Sequence, residues 1–147
     1  EFILTEKPKD CILCTKPAEH DDEGNFILYR GEKNFVILNR FPYNPGHLMV
    51  APYQHVASLE DMDDEELQEH FEIVRRSTRA LRGVFKPAGF NIGINVGRSA
   101  GAGISDHTHT HIVPRWDGDT NFMPVLVDTR VLPEGLASTY AKLKGLL

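Results

Sequence analysis

Three histidines recur at alternate positions in Asp106-His107-Thr108-His109-Thr110-His111-Ile112-Val113-Pro114-Arg115-Trp116. Imidazoles ligate metals, attack electrophiles and move protons near neutral pH, so their spacing carries chemical meaning. Alternate residues of a β-strand share a face, which predicts that His107, His109 and His111 project together, with Thr108 and Thr110 opposite. Groups that can gain charge near neutrality repel one another, so this crowding implies a metal or ligand that uses them. Two chemistries fit: all three rings on one catalytic metal, or one ring as nucleophile while its neighbours hold the substrate. Cys11 and Cys14, in Asp-Cys-Ile-Leu-Cys-Thr, have the spacing of half a zinc knuckle. Two thiolates need two further ligands for a closed tetrahedral site, and His55 with one end of the triad are the nearest candidates. A metal housed there leaves the rest of the triad available for nucleophilic chemistry.

The elements that must position these groups are legible in outline. Asn25-Phe26-Ile27-Leu28-Tyr29-Arg30 and Asn34-Phe35-Val36-Ile37-Leu38-Asn39 are aromatic and β-branched runs separated by Gly31-Glu32-Lys33, a hairpin pattern. Residues 19–24 read as an acidic loop and residues 40–46 as a turn, after which residues 47–52 form a third strand. From Asp63 the period changes, with Leu67, Phe71, Val74, Leu81 and Val84 marking the apolar stripe of a long helix. Asp61 or Asp63 caps its start, and Pro87 and Gly89 stop it. Strands over residues 90–96 and 107–114 flank the glycine-rich stretch 97–103; a strand at about 122–127 and a helix at about 133–146 complete the pattern. Sequential strands with short connections and one long helix predict an α+β fold, a single domain over residues 1–147, with no doubly wound sheet.

Composition sets outer limits. With 147 residues, 41% hydrophobic and 25% charged, the chain is able to fold around one core. The formal net charge of −5 argues against a general nucleic-acid binder, whose affinity comes from clustered Lys and Arg. A small phosphorylated ligand needs only a few local donors. No apolar run approaches the ~18 residues of a membrane span, and no signal-peptide pattern is present, so a cytoplasmic protein with no membrane partner is expected.

The segment His107-Thr-His109-Thr-His111-Ile112-Val113 resembles the signature of the histidine triad family, His-x-His-x-His followed by two apolar residues. Asn39-Arg-Phe-Pro-Tyr-Asn-Pro-Gly46-His47-Leu-Met-Val, Gly93-Ile-Asn95-Val-Gly97 and Ala100-Gly101 match further stretches in the family's order, from about Cys11 to Phe122. Within the family the chain is similar to the dinucleoside polyphosphate branch, which includes bacterial diadenosine tetraphosphate phosphorylases. The resemblance implies a five-stranded antiparallel sheet with one long helix and a C-terminal helix, usually in a homodimer, acting on an adenine dinucleotide. It implies that His109 is the nucleophile, that His111 binds a phosphate oxygen and that His47 completes the cluster. Asn39 corresponds to a ribose-binding position, Asn95 to a residue near the scissile bridge, and Gly101, Ala102 and Gly103 to the loop along the phosphate chain. It further implies a structural zinc on Cys11, Cys14, His55 and His107, and no organic cofactor. Ala102 and Gly103 depart from members with a polar side chain there, so backbone N–H groups must serve the anion. Hydrolysis of nucleoside phosphoramidates, the family's other common activity, and zinc-stabilised nucleotide binding without turnover are the alternatives.

Overall fold

The computed structural model describes residues 10–102, 106–119 and 135–147. Five strands form one antiparallel sheet: β1 (Ile27–Arg30), β2 (Asn34–Leu38), β3 (Leu48–Pro52), β4 (Gly89–Ile94) and β5 (Thr110–Arg115). Their order, β1-β2-β3-β5-β4, places the histidine-bearing β5 between β3 and β4. The α+β class and the five-stranded sheet are as expected. The strand anticipated at 122–127 and Gly103 lie outside the described residues.

Every residue of β2 and β3 is buried, because helices cover both faces of the sheet. On one side α3 (Asp64–Phe85) and α4 (Leu136–Leu143) pack on Leu28, Val36, Leu38, Leu48, Val50 and Ile112. On the other, the short helix α1 (Ile12–Ala18) brings Leu13 and both cysteines against Ile27, Phe35, Ile37, Met49 and Ala51. The alternation of β2 and β3 thus feeds two cores, one per face. Neither α1 nor the one-turn helix α2 (Asp22–Asn25), where the sequence suggests a loop, is evident from residue pattern: Pro17 lies inside α1, and both helices are too short for a periodic signal.

The long helix α3 is capped by Asp63, one of the two predicted capping residues. Its carboxylate accepts the Glu66 N–H at 2.8 Å, and Glu66 reciprocates on the Asp63 N–H at 3.1 Å, a capping box that contributes about 1 kcal/mol. The chain leaves the helix through Lys86 in the left-handed conformation, one residue before Pro87. Its buried face differs from the predicted stripe. Glu66, His70, Ile73, Val74, Ser77 and Leu81 face the sheet, Leu67 is half-buried and Phe71 is 44% exposed. Hydrophobicity alone misses this rotation because three of the six inward residues are polar.

Geometry requires glycine at position 46. Gly46 has φ +87°, and a Cβ there would meet Leu81, Pro114 and Phe85 at 3.2–3.3 Å. This bend closes the 40–46 turn beneath β5 and delivers His47 to the start of β3.

Candidate active site and metal centre

Strand β5 starts only at Thr110, later than predicted, so the pleat does not carry all three histidines to one place. Asp106 adopts φ +66°, and the Thr108 N–H bonds to the Val56 carbonyl at 2.7 Å. These two features swing His107 toward His55. The rings of His109 and His111 remain neighbours, with centroids 4.7 Å apart, and His47 stands 5.1 Å from His111. The triad is therefore divided between two sites.

The first site gathers Cys11, Cys14, His55 and His107, whose ligand atoms all lie within 4.8 Å of one another. The Cys11 Sγ to His107 Nδ1 and Cys14 Sγ to His55 Nδ1 distances are both 3.3 Å, and the two Nδ1 atoms are 3.1 Å apart. Metal bonds of about 2.0–2.3 Å in a tetrahedron give ligand separations of about 3.3–3.8 Å, so the cluster has the dimensions of such a site. The proton on His107 is also correctly placed. Its Nε2 lies 2.8 Å from the Pro52 carbonyl, which can only accept, so Nε2 carries the hydrogen and Nδ1 turns a lone pair on the cluster. These four residues are the ones the family resemblance implies, and they fit a metal ion.

At the second site, hydrogen-bond partners that have only one role determine each tautomer. His109 Nδ1 lies 2.9 Å from the His107 carbonyl and must donate to it. The neutral ring then holds its lone pair on Nε2, which takes no partner among the described residues. His47 is the opposite case: its Nδ1 accepts the Tyr43 N–H at 3.0 Å, so its proton is on Nε2, 2.9 Å from His111 Nδ1. His111 therefore accepts at Nδ1 and carries its own proton on Nε2. Two adjacent rings thus present complementary nitrogens, a bare nucleophilic one on His109 and a donor on His111.

Both rings line a cleft of about 650 Å³. Ile37, Met49, Phe26 and Ile12 form apolar walls, while Asn39, Asn95 and Gly101 lie toward the histidines, with Lys16 and Arg40 adding positive charge. The Met49↔His111↔Gly93 register leaves only a hydrogen on one side of His111, keeping that edge open. Asn39 Oδ1 accepts the Phe41 N–H at 2.9 Å; its amide nitrogen lies 3.3 Å from His47 Nε2 but makes no hydrogen bond there, because both groups are donors. Asn95 sits just beyond β4, 3.5 Å from the Gly101 carbonyl. The loop closes on itself through the Ala102 N–H to the Gly97 carbonyl at 3.2 Å, with Gly97 and Gly101 at positive φ. Of the predicted site residues, His47, Asn39, Asn95, Gly101, His109 and His111 come together here; Ala102 belongs to the adjoining loop. The apolar wall and the cations are not evident from the sequence, since nothing local distinguishes a cleft-facing Ile37 from a core one.

Burial pushes the imidazoles of His47 and His111 down to about 4, aided by the neighbouring histidine charges, and lowers His109 as well. His70, buried behind the sheet, is likewise pushed down to about 4 by desolvation. All four rings are neutral at pH 7. The unfolded chain takes up protons below the usual value near 6.5, while folded His47 and His70 resist until about pH 4. Their stabilisation is thus complete above pH 6.5 and is lost as the pH falls from 6.5 towards 4. Urea titrations across that interval should show a decline on the order of 2 kcal/mol for each of these two rings. A flat profile would contradict their neutrality.

Sheet order, a cleft against paired histidines and a separate thiol–imidazole cluster together define the class of protein. The HIT domain model matches residues 21–118, and the chain belongs to the histidine triad family. It is 42% identical over 125 residues to an AP-4-A phosphorylase of Mycobacterium tuberculosis, covering 85% of this chain and 64% of that protein. It is 34% identical over 118 residues to the asymmetrical bis(5'-nucleosyl)-tetraphosphatase of Schizosaccharomyces pombe, covering 80% of this chain and 64% of that one. The chain thus spans just under two thirds of each of these relatives. Among solved structures, a zinc-bound histidine triad protein from Mycobacterium smegmatis superposes with TM-score 0.75 at 27% identity, covering 93% of this chain and 92% of that one.

Proposed function

We propose that this protein cleaves dinucleoside polyphosphates of the diadenosine tetraphosphate type, by phosphorolysis or hydrolysis, through a nucleotidyl-histidine formed on His109. The observation that carries the reading is the opposed tautomers of His109 and His111 at one cleft. His109 Nε2 attacks the α-phosphorus and the bond to the bridging oxygen breaks. The Nε2–H of His111 donates to the oxygens that gain charge, and His47 holds His111 in that tautomer. Phosphate or water then attacks the same phosphorus from the vacated side, the P–N bond breaks, and His109 recovers its lone pair. The apolar wall takes a base, Asn39 the ribose, and Asn95 with the backbone of the loop at Gly101 and Ala102 the phosphate chain. The names of the two relatives support this substrate class.

In the same reading, Cys11, Cys14, His55 and His107 hold a zinc ion that ties the N-terminal segment to the approach to β5; it supplies rigidity and no organic cofactor is needed. A homodimer is supported by the edge position of β4 and by Ile92 and Phe71 exposed beside it. Among the described residues no helix is long and apolar enough to cross a membrane. We place the protein in the cytoplasm, where thiols that serve as metal ligands stay reduced.

Product analysis tests the substrate and the acceptor together. Diadenosine tetraphosphate with inorganic phosphate should yield ADP and ATP if phosphate is the acceptor, or AMP and ATP if water is. Turnover confined to adenosine phosphoramidates would replace this substrate assignment with the amine-adduct one.

A further inference from the structure

Behind the catalytic strand, on the face away from the cleft, lies a buried polar chain. His70, in the second turn of α3, is 2% exposed. Its Nδ1 is 2.8 Å from Asn34 Oδ1, and its Nε2 is 2.6 Å from Thr110 Oγ1. The amide of Asn34 cannot be turned round, because its nitrogen donates to the Glu66 carbonyl at 3.1 Å and to the Glu69 carboxylate at 2.9 Å. Asn34 therefore offers His70 an acceptor, the proton is on His70 Nδ1, and the Thr110 hydroxyl must donate to His70 Nε2. Every member is paired, in one direction, from Thr110 through His70 and Asn34 to Glu69.

Thr110 is the residue between His109 and His111, and its backbone is held at Val50 on one side and Ile94 on the other. Its side chain points to α3 while its neighbours' rings point to the cleft. We propose that His70 is a positioning residue for His109 and His111: through the Thr110 hydroxyl it sets the rotation of the first residue of β5 and so the aim of both rings. The proposal rests on the assignment of those rings as the reacting pair. An apolar residue at position 70 would suit a helix–sheet core better, since a buried imidazole must be desolvated and then paired. A hydrogen bond adds what dispersion lacks, a fixed direction, and small misplacements of reacting groups are costly: about 1 Å is worth about 10²-fold in rate. Among the described residues this chain joins α3 to the back of the histidine strand, whereas the rest of that face is packed by Ile73, Val74 and Leu81.

The test uses Thr110→Val, which keeps the shape and removes the hydroxyl, with Thr110→Ser, His70→Leu and the double variant His70→Leu/Thr110→Val. Turnover of diadenosine tetraphosphate with inorganic phosphate is measured well below each melting temperature. Thr110→Val and His70→Leu should each lower kcat by about 10- to 100-fold with KM within about twofold. Thr110→Ser should restore most of the rate, and the double variant should be no slower than the worse single one, because both break the same link. Normal kcat in Thr110→Val, or multiplying losses in the double variant, overturns the proposal. If His70→Leu does not fold, the contrast between Thr110→Val and Thr110→Ser decides the matter alone. A second readout needs no substrate: the ring-nitrogen resonances of His109 and His111 should move in Thr110→Val and return in Thr110→Ser. If the unaltered protein does not turn over this dinucleotide, the substrate assignment fails by itself, and unmoved ring resonances remain the result that overturns the positioning role.

Discussion

Replacing His109 by alanine should reduce kcat for diadenosine tetraphosphate by about 10⁴-fold or more while nucleotide affinity changes only a few-fold. The size follows from what is removed. In the proposed route the imidazole carries the attacking atom, and without it a water must attack directly, with no second, easier step to follow. The cleft walls and the His111 donor stay in place, so binding persists. His111→Ala removes a donor to the departing charge and should cost less, about 10²–10³-fold. The decisive measurement is chemical: unaltered protein mixed with labelled dinucleotide and quenched in alkali, where phosphoramidates of imidazole survive, should carry one nucleotide per active chain. His109→Ala should carry none. Turnover of that variant within tenfold of the parent would remove the covalent route altogether.

The other large effect expected is on folding. Stripping the metal with a strong chelator should lower the melting temperature by about 10–20 °C, the consequence of losing roughly 5 kcal/mol in a chain of this length. The cluster joins α1 to His55, beyond β3, and to His107, and the Sγ and Nδ1 atoms converge on a buried point. Left without an ion, those lone pairs face one another instead of a shared cation. Cys14→Ser should behave like the chelated protein, and metal analysis should find about one zinc per chain before treatment and none after. Protein that remains folded without metal should still form the His109 adduct, because His109 Nε2 is not one of the cluster's ligand atoms. Absence of metal from the purified protein together with an unchanged melting temperature under chelation would overturn the zinc assignment.

Much of the architecture is legible in the sequence for local reasons. The hairpin of β1 and β2 and the capped start of α3 follow from alternation, turn residues and an aspartate ahead of the apolar stripe, all of which act within a few positions. The departures have a common source. Apolar periodicity puts Phe71 in the buried stripe, yet it is exposed, while His70 beside it, to which the pattern gives no role, is almost fully buried. A helix shows which residues share a face but not which face another element will cover, and the polar inward positions become acceptable only once Asn34 and Thr110 arrive from distant strands.

The histidines illustrate the same division. Their order and the motif around them establish the chemistry available to the chain and the family to which it belongs. The amino-acid string by itself also names the four metal-cluster residues, through that resemblance. Residue alternation alone cannot divide the triad, although the resemblance already assigns His107 to the metal cluster. Alternation along a strand predicts one crowded site, whereas a left-handed Asp106 and a bond from Thr108 to Val56 send His107 elsewhere. Nor can it say which nitrogen of His109 or His111 bears a proton. Those answers depend on the His107 carbonyl and on His47, 64 positions from His111. Residue types set what a group is able to do; only the contacts made when distant segments meet choose among the protonation states and directions that each type allows.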